Sequence, residues 1–391
     1  MNDWEVVELG LLAAIKGGKR LPKGSILTEI PGSHPYIRTR DINNNTISIN
    51  ELLFVPDDVF PSISQYIVET NDVIISIVGT IGLCAIIPEK LHLANLTENC
   101  AKIVNIKEGI LDKKYLFYFL TGADGQAEIE SRNVGSTQPK LPLYNIQRIP
   151  ILLPPLPEQK AIASVLSSLD DKIDLLHRQN KTLEAMAETL FRQWFVEEAE
   201  EDWEVVPLST YAENVRENVK VENLAAFSNY VGLEHIPRKR LTLDSWGTTD
   251  SLGSNKSSFK ENDILFGKLR SYFHKVVFAP IHGVCSTDIL VIRPKKNEWF
   301  SFCLFWFFNE NVIEHSDLGS GGTRMPRTNW EVISGYMVPK PDNQKIIEFD
   351  IMARPTIEKM KENINQISTL EKLRNSILPK LMNGEVRVEL C

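Results

Sequence analysis

The sequence is short of the residues that most enzyme chemistry requires. Its 391 residues hold five cysteines, Cys84, Cys100, Cys285, Cys303 and Cys391, and no two of them form a C-x-x-C pair. The odd number leaves at least one thiol unpaired, so buried reduced thiols are expected rather than a disulfide frame or a zinc site. The histidines, His34, His92, His177, His235, His274, His282 and His315, are scattered, none with a second ligand at metal spacing. There is no G-x-x-x-x-G-K-[ST] phosphate loop, no H-E-x-x-H helix and no G-x-S-x-G elbow. A glycine-rich strand–turn–helix for S-adenosylmethionine is also missing, as is an Asn-Pro-Pro-Tyr-like stretch for methylating a flipped adenine. Long apolar runs are absent too. No stretch reaches the roughly 18 uninterrupted residues of a membrane span. The nearest, Val73 to Pro88, is broken by Ser76, Gly79, Thr80 and Gly82 and reads as paired strands. The opening residues lack a basic segment followed by an apolar run, so no secretory signal is read and the cytoplasm is the expected compartment. Neither a catalytic nor a metal site is expected.

What remains is the composition of a soluble globular chain, 43% hydrophobic and 24% charged, too long for one ordinary core. The net charge of −8 argues against nucleic acid if only totals are read. The distribution says otherwise. The stretch Glu197 to Asp202 is an acidic hinge, while basic residues gather at Lys16/Lys19/Arg20/Lys23, Arg238-Lys239-Arg240, Lys268/Arg270/Lys275 and Arg324/Arg327. Such patches suit DNA binding where a partner adds phosphate contacts.

The chain also repeats itself. Trp4-Glu5-Val6-Val7 recurs as Trp203-Glu204-Val205-Val206, and Asn71-Asp72-Val73 as Asn262-Asp263-Ile264. Gly135-Ser136-Thr137 matches Gly321-Gly322-Thr323, and each half reaches a proline-punctuated segment ending at Ile162 or Ile347. The landmarks keep their order and near-equal gaps, so the chain is a tandem duplication. In each copy, short β-branched runs alternate with Gly, Asn and Asp punctuation, Asp72 to Ile77 and Ile289 to Ile292 among them. A helix-like segment follows, Lys113 to Leu120 and Phe300 to Phe308. The fold class is mixed α/β (α+β).

Each copy then ends in a long helix. Pro157-Glu158 suits a first turn. From there Ile162, Leu166, Leu169, Ile173, Leu176, Asn180, Leu183, Ala187, Leu190 and Trp194 step by four and three, the spacing of a coiled-coil seam. Asn180 is its one polar member, suited to fixing register. A single amphipathic helix lying on a globular core is the other reading. In the second copy Ile357, Met360, Ile364 and Ile367 hold the phase, Leu370 to Leu381 shift it, and Pro355 is expected to mark where the helix begins or kinks. Pairing the two helices buries both stripes, and they must be antiparallel. The first would extend about 60 Å at 1.5 Å per residue, which suits two readers set one to two turns apart on a DNA repeat of about 34 Å.

The segment Leu153-Pro154-Pro155-Leu156-Pro157-Glu158-Gln159 before a heptad helix resembles the central conserved region of type I restriction–modification specificity subunits. The closing Leu373-Arg374-Asn375-Ser376-Ile377-Leu378-Pro379-Lys380-Leu381-Met382-Asn383-Gly384-Glu385 is similar to their distal conserved region, and the two Trp-Glu-Val-Val phrases resemble the opening of their target-recognition domains. Lys340-Pro341-Asp342-Asn343-Gln344 departs from the proline motif. The resemblance implies target-recognition domains at residues 1–155 and 197–340, with coiled-coil helices at 156–196 and 341–391. It further implies that each globule reads half of a bipartite target in double-stranded DNA and that the helices set the spacer. Two modification subunits carrying S-adenosylmethionine would dock there, and ATP- and Mg-dependent restriction subunits would join them. The chain itself would hold no cofactor.

For DNA contacts the expected residues in the first copy are Arg38, Arg40, Thr80, Gln138 and Lys140. In the second they are Arg238, Lys239, Arg240, Lys268, Arg270, Tyr272, Arg324 and Arg327, with Gly319 to Arg324 as a possible phosphate nest. Asp41, Asp72 and Asp263 read as turn residues. Two other functions fit less of this pattern: a coiled-coil scaffold that binds proteins, and a nuclease or methyltransferase with unfamiliar motifs.

Overall fold

The computed structural model describes residues 4–49, 51–135, 137–220, 222, 229–249, 252–322 and 325–389. Arg324 and Cys391 lie outside them. The chain divides into two compact units, Met1–Asp171 with Lys372–Cys391, and Lys172–Glu371. Each unit takes a globule together with a stretch of both long helices.

In the first unit a four-stranded antiparallel sheet runs in the order Ala14–Gly17, Cys100–Val104, Val73–Ser76, Cys84–Ile86. The run Val73-Ile74-Ile75 is buried on both faces, as a strand sandwiched between layers must be. Val73 and Ile75 face a cluster with Tyr115, Leu116 and Phe119 of helix Lys113–Thr121. Ile74 faces the opposite way, toward Ile37 and Leu96 of a smaller sheet. A ribbon of Glu5–Glu8 with Pro150–Leu153 closes the unit and leads into the first long helix, Leu156–Arg192.

The proline motif has a specific task here. Gln159 is fully buried; its amide donates to the carbonyls of Ile110 and Pro154, both at 2.8 Å, and accepts from the Asp112 N–H at 2.9 Å. Asp112 in turn caps helix Lys113–Thr121. Tyr118 donates to Asp170, which also receives Arg374 from the second long helix, each at 2.7 Å. Leu381 and Met382 enter the same core, and Arg387 pairs with the buried Glu158.

The second unit repeats the plan: Ala212–Asn214, Ile289–Pro294, Ile264–Gly267, Val276–Phe278 in the same order. Helix Phe300–Phe308 is buried along its whole length against Phe191, Phe195 and Phe349. The long helices pack antiparallel: Ile173 and Leu176 meet Ile367, and the Asn363 amide donates to Asn180 Oδ1 at 2.8 Å.

Ile162, Leu166, Ile173, Leu176, Asn180 and Ala187 are buried, as are Ile357, Met360, Ile364 and Ile367. Leu169, Leu183, Leu190 and Trp194 are half-buried. Toward its end the first helix buries Glu184, Phe191 and Phe195, and closes in a π turn, Gln193–Glu197. The second helix, Asn343–Met382, starts well before Pro355 and continues through it, so Pro355 does not begin the helix. Its start is tied instead by Asn343, whose Oδ1 accepts from the Trp299 indole at 2.8 Å.

Candidate nucleic-acid interface

In the first unit the hairpin of Val73–Ser76 and Cys84–Ile86 turns through loop 77–82, with Gly79 and Gly82 at positive φ (81° and 87°). Ser76 Oγ braces the loop by donating to the Thr80 carbonyl at 2.6 Å and accepting from the Leu83 N–H at 2.8 Å. A second turn lies beside it. Val134 and Lys140 exchange main-chain hydrogen bonds around Gly135 (φ 91°), and the Leu141 N–H reaches the Ile77 carbonyl at 2.9 Å. Thr80, Gln138 and Lys140 are exposed on these two loops.

The turn Thr39–Asp41 joins the same end of the sheet, since Thr39 Oγ1 contacts the Cys100 thiol and Cys100 pairs with Ser76. Arg40 is exposed there. Arg38 differs. Its side chain is only 14% exposed, it makes two bonds to the buried Asp41 at 2.8 and 2.7 Å, and it donates to the Glu51 carbonyl. Those bonds commit its fork to holding the turn.

The second unit builds the same platform. Loop 268–274 joins Ile264–Gly267 to Val276–Phe278, with Arg270 and His274 at positive φ (53° and 51°). Gly321 and Arg327 exchange main-chain bonds around Gly322 (φ 102°), and the Thr328 N–H meets the Lys268 carbonyl. The hydrogen bonds thus equate Gly135 with Gly322 and Lys140 with Arg327. The sequence match of Gly135 to Gly321 is therefore out by one residue. The counterpart of Arg38, whose N–H bonds Asp41, is Gly232, whose N–H bonds His235 Nδ1 at 2.9 Å. The segment 238–240 instead docks on the loop, the Lys239 N–H meeting the His274 carbonyl at 2.9 Å.

The cations divide into two kinds. Lys239 pairs with Glu310, Arg240 with Asp244 and Arg327 with Asp288. Arg40, Lys140, Arg238, Lys268 and Arg270 have no carboxylate partner among the described residues. Arg238 lies 3.7 Å from the centre of the Phe273 ring and Arg270 5.9 Å from it, with Tyr272 exposed next to them. Phe273 was not expected as a site residue; its neighbours Tyr272 and Lys275 were its only signal. In the expected phosphate nest the N–H groups of Gly319, Ser320 and Gly321 all donate to main-chain carbonyls, and Thr323 and Arg324 lie outside the described residues. Asp72 and Asp263 each accept a main-chain N–H three residues back, as turn residues do.

Other chemistry is scarce. Burial pushes the Cys84, Cys100 and Cys285 thiols up to about 12, which leaves no thiolate at neutral pH. Among the described residues no group of three or more His, Cys, Asp or Glu could hold a metal, and no helix is long and apolar enough to cross a membrane.

Residues 1–185 match the family described as type I restriction modification DNA specificity domain. The type I restriction enzyme MjaIX specificity subunit of Methanocaldococcus jannaschii is 25% identical over 422 residues, covering 99% of this chain and 94% of that one. The MjaVIII specificity subunit of the same organism is 29% identical over 430 residues, with the same coverage. The crystal structure of the S subunit of a type I restriction–modification system from M. genitalium has this fold, with a TM-score of 0.61 at 15% identity, over 100% of this chain and 98% of that one. With the family match over residues 1–185 and the likeness to these relatives along nearly the full length, the chain is similar to type I restriction–modification specificity subunits.

Proposed function

We propose that this chain supplies the DNA address of a type I restriction–modification complex and leaves the chemistry to its partners. Each globular unit reads one half of a bipartite target in double-stranded DNA, and the two long helices fix the unread spacer and dock two modification subunits. Those subunits carry S-adenosylmethionine and methylate adenine. Restriction subunits that use ATP and Mg²⁺ to move along and cut DNA join this core, in the cytoplasm where the DNA lies. The observation that carries the reading is the twice-built platform: a rigid sheet whose end presents a braced hairpin loop and a second glycine turn, lined with unneutralised cations. Rigid scaffolds with variable polar loops suit base readout, and free Lys and Arg suit phosphate. The net charge of −8 gives the free chain no long-range pull on DNA, so tight binding belongs to the assembled complex.

The test is co-expression with the modification subunit, followed by mapping of N6-methyladenine across host DNA. One bipartite motif with a fixed gap is expected, and exchanging residues 1–150 for those of another specificity subunit changes one half of it only. A stable complex that yields no motif would favour the protein-binding scaffold. Methylation or cutting by the purified chain alone would overturn the reading.

A further inference from the structure

The two platforms share a backbone but differ in what they place on it. Counting from Asp72 and Asp263, the third residue of each hairpin loop is left-handed: Gly79 in the first unit and Arg270 in the second. The second residue before the return strand is left-handed in both as well, Gly82 and His274. Glycine takes this conformation freely, whereas a long side chain seldom does. A site that demands glycine in one copy and carries arginine in the other keeps that arginine for its side chain, since strained residues persist where the surroundings hold them and function uses them.

The surroundings do hold it. The Arg270 N–H donates to the Pro326 carbonyl at 2.9 Å, and the Phe273 N–H closes back on the Arg270 carbonyl at 2.9 Å. The guanidinium has no carboxylate or carbonyl partner among the described residues and approaches Phe273, the ring that also carries Arg238. Two guanidiniums at one ring repel each other unless an anion or an acceptor pair joins them. Arg327 and Lys239, on either side, already have Asp288 and Glu310. Arg270, like Arg238, has no ion-pair partner for its guanidinium among the described residues, and main-chain bonds fix the path of the loop that carries it.

We propose that Arg270 is the specificity-determining residue of the second unit, its fork reading the O6 and N7 acceptors of a guanine in the major groove, with Phe273 as the positioning residue. A planar fork meets that acceptor pair bidentately, which a phosphate contact does not require. The proposal rests on the address-reading function above.

The experiment compares the wild-type chain with Arg270→Gly and Arg270→Lys, each co-expressed with the modification subunit and mapped by methylated motif. Wild type gives a bipartite motif with a required guanine in one half. Arg270→Gly keeps the loop's main-chain bonds, melts no lower than wild type and still forms the complex. It relaxes that single guanine, with discrimination falling roughly 5- to 150-fold, while the other half-site is unchanged. Arg270→Lys relaxes it as well, because lysine keeps the charge and loses the fork. If both variants keep the wild-type motif, or if only the glycine variant loses binding and does so for every sequence alike, Arg270 is a phosphate contact or a bystander and the proposal fails. A glycine variant that melts well below wild type overturns the argument from backbone strain. A wild-type complex without any bipartite motif refutes instead the function on which the proposal rests.

Discussion

Glu184 gives a quantitative test of how the first long helix is coupled to the second globule. It is 9% exposed, and its Oε2 accepts the Leu241 N–H at 2.9 Å. Burial pushes its carboxyl from 4.5 up to about 7, Glu188 and Asp244 adding to the rise while the Leu241 N–H and Arg240 oppose it. In the unfolded chain the group titrates near its ordinary value. Between those limits the folded state holds a proton that the unfolded state releases, so stability is greatest below pH 4.5 and falls as pH rises through about 7. The gap from 4.5 to about 7, at about 1.4 kcal/mol per pH unit, amounts to about 3 kcal/mol. Glu184→Gln keeps the acceptor for Leu241 and stays neutral. It is therefore expected to match wild type near pH 5 and to exceed it by up to about 3 kcal/mol at pH 8. Six of the seven tryptophans, all but Trp4, belong to the second unit, so urea unfolding followed by tryptophan fluorescence reads that unit selectively. Wild-type and variant stabilities that run parallel from pH 5 to 8, or a variant less stable at pH 8, would refute the reasoning.

Three further outcomes are expected. Replacing Asn180 by Leu leaves the buried Asn363 amide without its acceptor and costs about 1–3 kcal/mol; Leu at both positions recovers most of this, so additive losses in a double-mutant cycle would contradict the pairing. Gln159→Leu removes three buried hydrogen bonds and orphans the Asp112 N–H, at about 2–4 kcal/mol in unfolding free energy. Amide exchange at Asp112 should accelerate, and unchanged protection there would count against the tether. Lys140→Ala weakens DNA binding by the assembled complex equally for all sequences and flattens the plot of log affinity against log salt by about 0.9; a loss confined to one target sequence would mean that Lys140 reads a base.

Much of the frame was legible because its causes are local. The β-branched run Val73-Ile74-Ile75 and the aromatic run Phe300 to Phe308 carry the strand and the helix in their side chains, and the four-and-three spacing from Ile162 marks a buried stripe. What was not legible depends on pairing across the chain. The Gly321-Gly322 doublet offers two matches to Gly135, and only the bond between Gly321 and Arg327 decides between them. Arg327 and Arg270 look alike in sequence, yet Asp288 neutralises one and nothing described neutralises the other. Asn363, one residue before Ile364 of the seam, is identified only by the Asn180 it meets. Toward its end the first helix likewise turns Glu184, Phe191 and Phe195 inward ahead of Leu183, Leu190 and Trp194, which heptad counting placed on the stripe.

The same division explains how one duplicated fold can read two different half-sites. In both platforms the loop's path is set by main-chain groups: Leu141 N–H to Ile77 and Thr328 N–H to Lys268, with Asn71 and Asn262 both left-handed beside the anchoring Asp72 and Asp263. None of these bonds depends on which side chain stands at the tip. Thr80 and Gln138 can therefore occupy one copy while Tyr272 and Arg270 occupy the other, without either loop having to refold. Specificity is then free to change by substitution at a few exposed positions while the core, the Gln159 tether and the helical pair stay fixed. The limit on such change is conformational rather than chemical. A non-glycine residue at the position of Gly79 or Gly82 is tolerated where the neighbouring segment clamps the loop, as segment 238–240 does through Lys239 and His274. The first unit, with glycine at both positions, does not need that clamp.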